Sequence, residues 1–311
     1  MSGRTELPLV GAGGERVDLL RTIASHGLAD LPPNRIDEEA STLEVTLRPA
    51  RGRPRTVRVE RGRRPATALV TVLGRAPSRA VADELTERVA HVLRLDEDLS
   101  EFYALVEEDP ELSWAAAGAG RLMRSATVFE DVVKTICTTN CAWSATVRMV
   151  TALVEHLGEP AAGGRGRAFP TPAAMASAGE AFYRDVVRAG YRGAYLQALA
   201  VGVADGTIEL EELGDPASDI PDDEVALRLL ALPGIGPYGT AHMMMLLGRH
   251  SRLILDSWTR PKYARVNGRK AADATIERRF RRYGRYAGLA FWLYLTRDWV
   301  PDPSEGTAGV R

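Results

Sequence analysis

The chain has 311 residues, of which 45% are hydrophobic and 26% charged, and a formal net charge of −1. This length can bury a substantial core and accommodates two domains or three, and the composition is that of an ordinary soluble globular protein. No run approaches the roughly 18 apolar residues of a membrane span. The opening Met1-Ser2-Gly3-Arg4-Thr5-Glu6 lacks the apolar core of a signal peptide, so a cytoplasmic monomer without a membrane partner is expected.

In chain order, the first 80 residues read as β structure. Leu43–Arg48 and Thr56–Glu60 alternate apolar and polar residues, and Ala66–Leu73 does so in part; turn-like breaks lie at Pro49–Pro54 and Gly62–Pro65. From Ser78 the pattern becomes helical. Ser78–Leu95 carries Val81, Leu85, Val89 and Val92 at helical spacing, and Glu101–Glu108 is a second short helix. Thr127-Val128-Phe129-Glu130 reads as a capping box opening a helix through Cys137. A further helix covers Trp143–Leu157, closed by Gly158, and Pro160–Pro172 reads as a surface linker. Helices are expected over 179–188, 193–204 and 223–231, and a long amphipathic one over Glu277–Thr296. The fold class is therefore α+β, with an antiparallel sheet domain and its following helix over 1–95 and a helical region over 96–311.

Cys137 and Cys141 stand i, i+4 on one predicted helix. A closed zinc or iron–sulfur site needs about four ligands, so both read as reduced thiols and no iron–sulfur cluster is expected. The small net charge hides a segregated distribution. Eleven basic residues fall between Trp258 and Arg297 against two acidic ones, whereas Glu209–Glu224 carries eight acidic residues and no base. Such an arrangement can give a basic face for phosphates, or solvated helix faces.

The most informative segment is Leu232-Pro233-Gly234-Ile235-Gly236-Pro237-Tyr238-Gly239. A helix ends before it, two glycines suit positive φ or close approach of another molecule, and Pro237 suits the first position of a new helix. The free N–H groups of such a turn form an anion site, with Ile235 plugging the core. An ordinary αα-hairpin has the same outline.

Leu253-Ile254-Leu255-Asp256 follows, Asp256 lying 18 residues after Tyr238. Together with Phe129–Asn140 and Ala189-Gly190-Tyr191-Arg192-Gly193-Ala194-Tyr195, these segments resemble the helix-hairpin-helix DNA glycosylase superfamily, in its alkylpurine (3-methyladenine) and 8-oxoguanine branches. The resemblance implies a mainly helical two-lobed fold with an N-terminal antiparallel sheet domain, the hairpin occupying about 223–248. It implies double-stranded DNA with a damaged, alkylated base as partner, and Asp256 as the catalytic carboxylate. It further implies DNA binding by the hairpin (Leu232, Pro233, Gly234, Ile235, Gly236, Tyr238 and Gly239) and a monovalent cation, Na+ or K+, on the 232–236 carbonyls, with no other cofactor. Asn140 falls in the loop that fills the gap left by a flipped nucleotide.

Excision requires a base turned out of the stack, and breaking its glycosidic bond develops positive charge on the sugar that a carboxylate can stabilise. Position alone would make Asp256 a helix N-cap, a role compatible with catalysis. Strand-cleaving relatives use a lysine where this chain has Tyr238, and a phenol forms no Schiff base, so no β-lyase activity is expected. Tyr238 and His242 can wall a base pocket, while Arg260 and Lys262 supply phosphate contacts. Asn140 is also a natural helix C-cap. Trp114, Trp143 and Trp292 read as core.

Overall fold

The computed structural model describes residues 3–300; Met1 and Ser2, and the end of the 96–311 region beyond Val300, lie outside it. Strands β1 (Arg4–Pro8), β2 (Asn34–Asp37), β3 (Thr42–Leu47), β4 (Arg55–Arg61) and β5 (Thr67–Val72) form one antiparallel sheet in the order β1-β5-β4-β3-β2. The three central strands are those whose alternation is visible in the sequence. Leu43, Val45, Val57, Val59, Val70 and Val72 all point to a core shared with α1 (Leu19–Ile23) and α2 (Arg79–Val92). The edge strands escaped the sequence reading because Arg-Thr-Glu-Leu-Pro and Asn-Arg-Ile-Asp carry no apolar alternation. Their state comes from pairing, Arg4 opposite Thr71 and Asn34 opposite Val45.

The helices are α3 (Ser100–Val106), α4 (Val128–Thr138), α5 (Trp143–Leu157), α6 (Pro172–Ala176) and α7 (Gly179–Ala181), then α8 (Arg192–Ala204), α9 (Asp222–Leu230) and α10 (Pro237–Leu246), and finally α11 (Thr259–Val266), α12 (Asp273–Phe280) and α13 (Ala287–Thr296). They build two cores. One gathers α4, α5, α8, α9 and α10 around Val132, Ile136, Leu196, Leu229 and Met243. The other gathers α3, α11, α12 and α13 around Phe102, Tyr263, Phe280 and Phe291. A small separate cluster of Leu122, Met245, Ile254 and Trp292, with Tyr238 and Trp299 packed on it, joins α10 to α13.

Four local expectations need correction. The expected single helix over Glu277–Thr296 is broken: α12 begins at Asp273, a 3-10 turn covers Arg281–Tyr286, and Gly284 at φ 53°, ψ −124° redirects the chain into α13. The apolar period continues across the break, which is why periodicity did not reveal it. The stretch Pro160–Pro172 is not a free linker. Ala162 N donates to Pro54 O at 2.8 Å, Thr56 Oγ1 donates to Arg165 O, and Ala161, Ala168 and Phe169 are buried. Its small residues let backbone lie directly on the sheet; a Cβ at Gly166 would sit 2.4 Å from Thr46 Oγ1. The capping box at Thr127 is only half formed. Thr127 Oγ1 accepts from Glu130 N, but the Glu130 carboxylate turns to Lys134 at 2.7 Å, and the distant Glu211 accepts from Val128 N and Phe129 N. Finally, α4 ends at Thr138, so Cys141 lies beyond the helix that carries Cys137.

Candidate functional site

The hairpin joins α9 to α10 as the sequence implies. Leu232 and Ile235 are buried in the larger helical core. Gly234 lies at φ 79°, and a Cβ there would come within 3.0 Å of the Tyr195 side chain, so both backbone and packing require glycine. Gly236 differs: its φ is −107°, a value any residue adopts, and nothing lies within 4 Å of where a Cβ would be. The open space, not the dihedral, is what this glycine contributes. Ile235 N donates to Leu232 O and Thr240 N to Gly236 O. Among the described residues, the N–H groups of Gly234, Gly236, Tyr238 and Gly239 find no acceptor. With Pro237 at the first helical position, these donors cluster at the start of α10, where the helix dipole adds positive potential.

Asp256 stands at the entry to α11. Its Oδ1 accepts from Trp258 N at 2.8 Å and Thr259 N at 2.6 Å, and Thr259 Oγ1 accepts from Asp256 N at 2.8 Å. The N-cap of α11 is Trp258, and Asp256 instead caps the turn that leads into the helix; these bonds fix the carboxylate's orientation. No protein donor among the described residues reaches Oδ2.

The charge of Asp256 acts on both residues expected to wall a pocket. The Tyr238 hydroxyl is pushed above its ordinary range, first by burial, with Asp256 adding to the effect and Thr138 opposing it by a hydrogen bond. His242 is pushed down to about 4 by burial, with Asp256 opposing, so its imidazole is neutral at pH 7. The Tyr238 and His242 rings stack at 12°, centroids 6.0 Å apart. Two features were not anticipated. His26, from the segment after α1, meets the His242 ring edge-on at 6.3 Å. Trp258, Trp292 and Trp299 contact one another at 5.6–5.8 Å beside Asp256. Trp292 is buried, as expected, and donates Nε1–H to Ser25 O at 2.8 Å. Trp114 is half-buried beneath Arg21. Trp143 is not core: it is 48% exposed at the start of α5.

Asn140 is exposed at φ 46°, just past the C-cap of α4, a conformation that Asn tolerates better than most residues. The loop is held from behind by Arg192, a buried side chain whose Nε donates to Thr139 O at 2.9 Å and Nη2 to Asn140 O at 3.0 Å. Sequence reading saw Arg192 only within its motif, because its partners lie 52 and 53 residues away.

The charge segregation cancels only in part in three dimensions. Arg260 forms a bidentate pair with Asp273 at 2.8 Å, and Lys262 pairs with Asp298 at 2.6 Å. Arg279, Arg282 and Arg285 meet Glu111, Asp109 and Glu101. From the acidic run, Glu212, Asp222 and Asp223 pair with Arg228, Arg249 and Arg252. The Arg260 pair is half exposed, so a phosphate in water can exchange for its carboxylate.

A scan of protein-family models and a search of curated protein sequences find no match. Solved structures do match, and they define the class of fold: that of helix-hairpin-helix DNA glycosylases. MBOgg1, solved with a low-affinity DNA ligand, superposes with a TM-score of 0.72 at 16% identity, over 96% of this chain and 97% of that one. The 3-methyladenine DNA glycosylase of Archaeoglobus fulgidus gives 0.70 at 21% identity, over 96% and 99%. The 8-oxoguanine glycosylase/lyase of Clostridium acetobutylicum gives 0.60 at 18%, over 80% and 87%. The chain has this α+β fold, N-terminal sheet included.

Proposed function

We propose that the protein is a monofunctional DNA glycosylase of base excision repair that turns out a damaged, alkylated base and hydrolyses its N-glycosidic bond. The observation that carries this reading is the placement of Asp256. One carboxylate oxygen is fixed by two backbone N–H groups and the other is unbonded, beside stacked and clustered aromatic rings and a hairpin with four free N–H groups. The hairpin amides grip phosphates whatever the sequence, with Arg260 and Lys262 adding salt-sensitive contacts. Asn140 enters the gap left by the extruded nucleotide. Asp256 then stabilises the positive charge that develops on the sugar and orients the attacking water. The exposed Trp258 ring, with the partly buried Tyr238 and Trp299 rings near it, suits a cationic alkylated base.

The absence of strand cleavage rests on lysine chemistry. Tyr238 occupies the position where a lyase carries its amine, and Lys134 is wholly buried and paired with Glu130. The turn also fits a monovalent cation: Pro233, Gly234 and Ile235 keep carbonyls that accept no backbone hydrogen bond among the described residues. Such a cation would draw the turn and a phosphate together.

Purified protein offered duplexes with alkylated, deaminated and oxidised bases, then hot alkali, should show alkali-dependent cleavage that Asp256→Asn removes. Release of no base would leave a hairpin DNA-binding protein without excision, and release unaffected by Asp256→Asn would take Asp256 out of the chemistry. Nicking without alkali would refute the monofunctional assignment. The second reading, excision of an oxidised purine, is favoured by Asn140 and by the 8-oxoguanine enzyme among the structural neighbours; the same lesion panel separates the two.

A further inference from the structure

Four cations of the arginine-rich stretch, Arg269, Lys270, Arg278 and Arg281, are exposed and enter no ion pair among the described residues. Folding sets them on two open grooves that flank α12. One groove, of about 730 Å³, lies between the end of α11 and α12. Arg269, Lys270, Thr275 and Arg278 line it, and no carboxylate among the described residues does. The other, of about 530 Å³, holds Arg281 beside Pro237, Thr240 and Ala241 of α10. Glu277 also lines this second groove, and Arg252 there is already paired with Asp223. Both ends of α12 are tied to the site described above. Pro237 opens α10, where the free N–H groups of the hairpin cluster. Arg260, one helical turn past Asp256, pairs with Asp273 in the first turn of α12. The Asp273 bond raises the Arg260 guanidinium above its ordinary value, and the Asp256 carboxylate adds to the effect. The α12 surface is therefore continuous with the hairpin on one side and lies near Asp256 on the other.

We propose that Arg281, Arg278, Lys270 and Arg269 form a second phosphate track, which carries the sugar–phosphate backbone of the duplex away from the hairpin along α12. This deepens the glycosylase reading and rests on it, since one duplex must occupy both the hairpin and the track. The 8 residues of α12 span about 12 Å, and one strand presents a phosphate every ~3.4 Å of axis, so the track covers about three or four phosphates. Charge pairing decides which cations serve. An arginine already paired must give up its carboxylate before it takes a phosphate, whereas these four exchange only water for phosphate and release the counterions of the DNA. No base edge is read along the track, so it adds affinity and orientation without adding lesion preference.

A duplex with a central, uncleavable abasic analogue and a full helical turn of DNA on each side fixes the register for the test. Affinity is read by fluorescence anisotropy between about 50 and 200 mM salt. Arg278→Gln with Arg281→Gln, and separately Arg269→Gln with Lys270→Gln, should each weaken binding about tenfold at the upper salt and reduce the salt slope by about two. The effect of the Arg269 and Lys270 pair should vanish when the duplex is cut to about two base pairs on one side of the analogue, and persist when the other side is cut, because the strand then ends short of the groove or still fills it. All four side chains are exposed, so melting temperatures should hold; if one double variant does not fold, the salt slope of the other decides. Affinity and slope unchanged in folded variants, or a loss that neither truncation removes, as a diffuse charge effect would give, overturns the track while leaving the glycosylase reading intact. Wild type that neither binds the duplex nor releases any damaged base overturns that reading and the track with it.

Discussion

The hairpin at Leu232–Gly239 and the arginine-rich segment from Trp258 to Arg297 both read in the sequence as surfaces for phosphate, yet they end differently. The hairpin keeps four backbone donors without an acceptor among the described residues. The arginine-rich segment spends part of its charge, that of Arg260, Lys262, Arg279, Arg282 and Arg285, on Asp273, Asp298, Glu111, Asp109 and Glu101. A turn's donors are fixed by local dihedrals and by proline, and no distant residue can cancel them without lying on top of the turn. Side-chain charge can be cancelled by any carboxylate that folding brings near. A cluster of arginines in sequence is therefore weaker evidence of a phosphate-binding face than a Gly-Ile-Gly-Pro turn.

Four measurements would break or sharpen this contrast. The largest effect should come from Asp256→Asn, which keeps one capping oxygen and should lower base release at least a hundredfold, about 2.7 kcal/mol of barrier, while duplex affinity stays within about twofold in a gel-shift titration. Loss of affinity instead would place Asp256 with the binding surface rather than the chemistry.

Next is the pH dependence of stability behind the hairpin. His26 and His242 are depressed to about 3 and about 4 from an unfolded value near 6.5. Their stabilisation is present above about pH 6.5 and is lost as pH falls toward those values. Asp131, raised to about 6 by burial, works the other way: its contribution is present below about pH 4 and is lost as pH rises through 6. His91, lowered to about 4 chiefly by burial, acts in the same direction as the other two imidazoles, so denaturant titrations should show a net loss of about 4 kcal/mol between pH 7 and pH 5. A flat profile would mean that the imidazoles are not buried neutral.

Third, Gly236→Ala should weaken duplex binding about tenfold, about 1.4 kcal/mol, with an unchanged melting temperature, since the space beside it is empty. Gly234→Ala should lower affinity and melting temperature together, because of its positive φ and its contact with Tyr195. Equal behaviour of the two would show that the open space at Gly236 is not a contact site. The smallest effect should be that of Arg285→Gln. Its pair with Glu101 is two-thirds exposed, so the loss should stay under about 0.5 kcal/mol of stability. The salt slope of DNA binding should also hold; a slope reduced by about one would return this arginine to the phosphate-contacting surface.

The sequence by itself determined the central strands, most helices, the hairpin and a capping Asp256, because each follows from dihedral preference or apolar period within a dozen residues. Val57 and Val59 face inward wherever that strand pairs, and Pro237 starts a helix whatever surrounds it. Tertiary structure decided the edge strands, the docking of Pro160–Pro172 on the sheet and the break at Gly284. It also decided the site's composition. His26 reaches His242 across 216 positions of sequence, and Trp292 reaches Ser25 across 267. Arg192 holds the Asn140 loop from 52 positions away. Such contacts leave no periodic trace, since they depend on how the two helical cores and the sheet come together, and no single segment encodes that meeting.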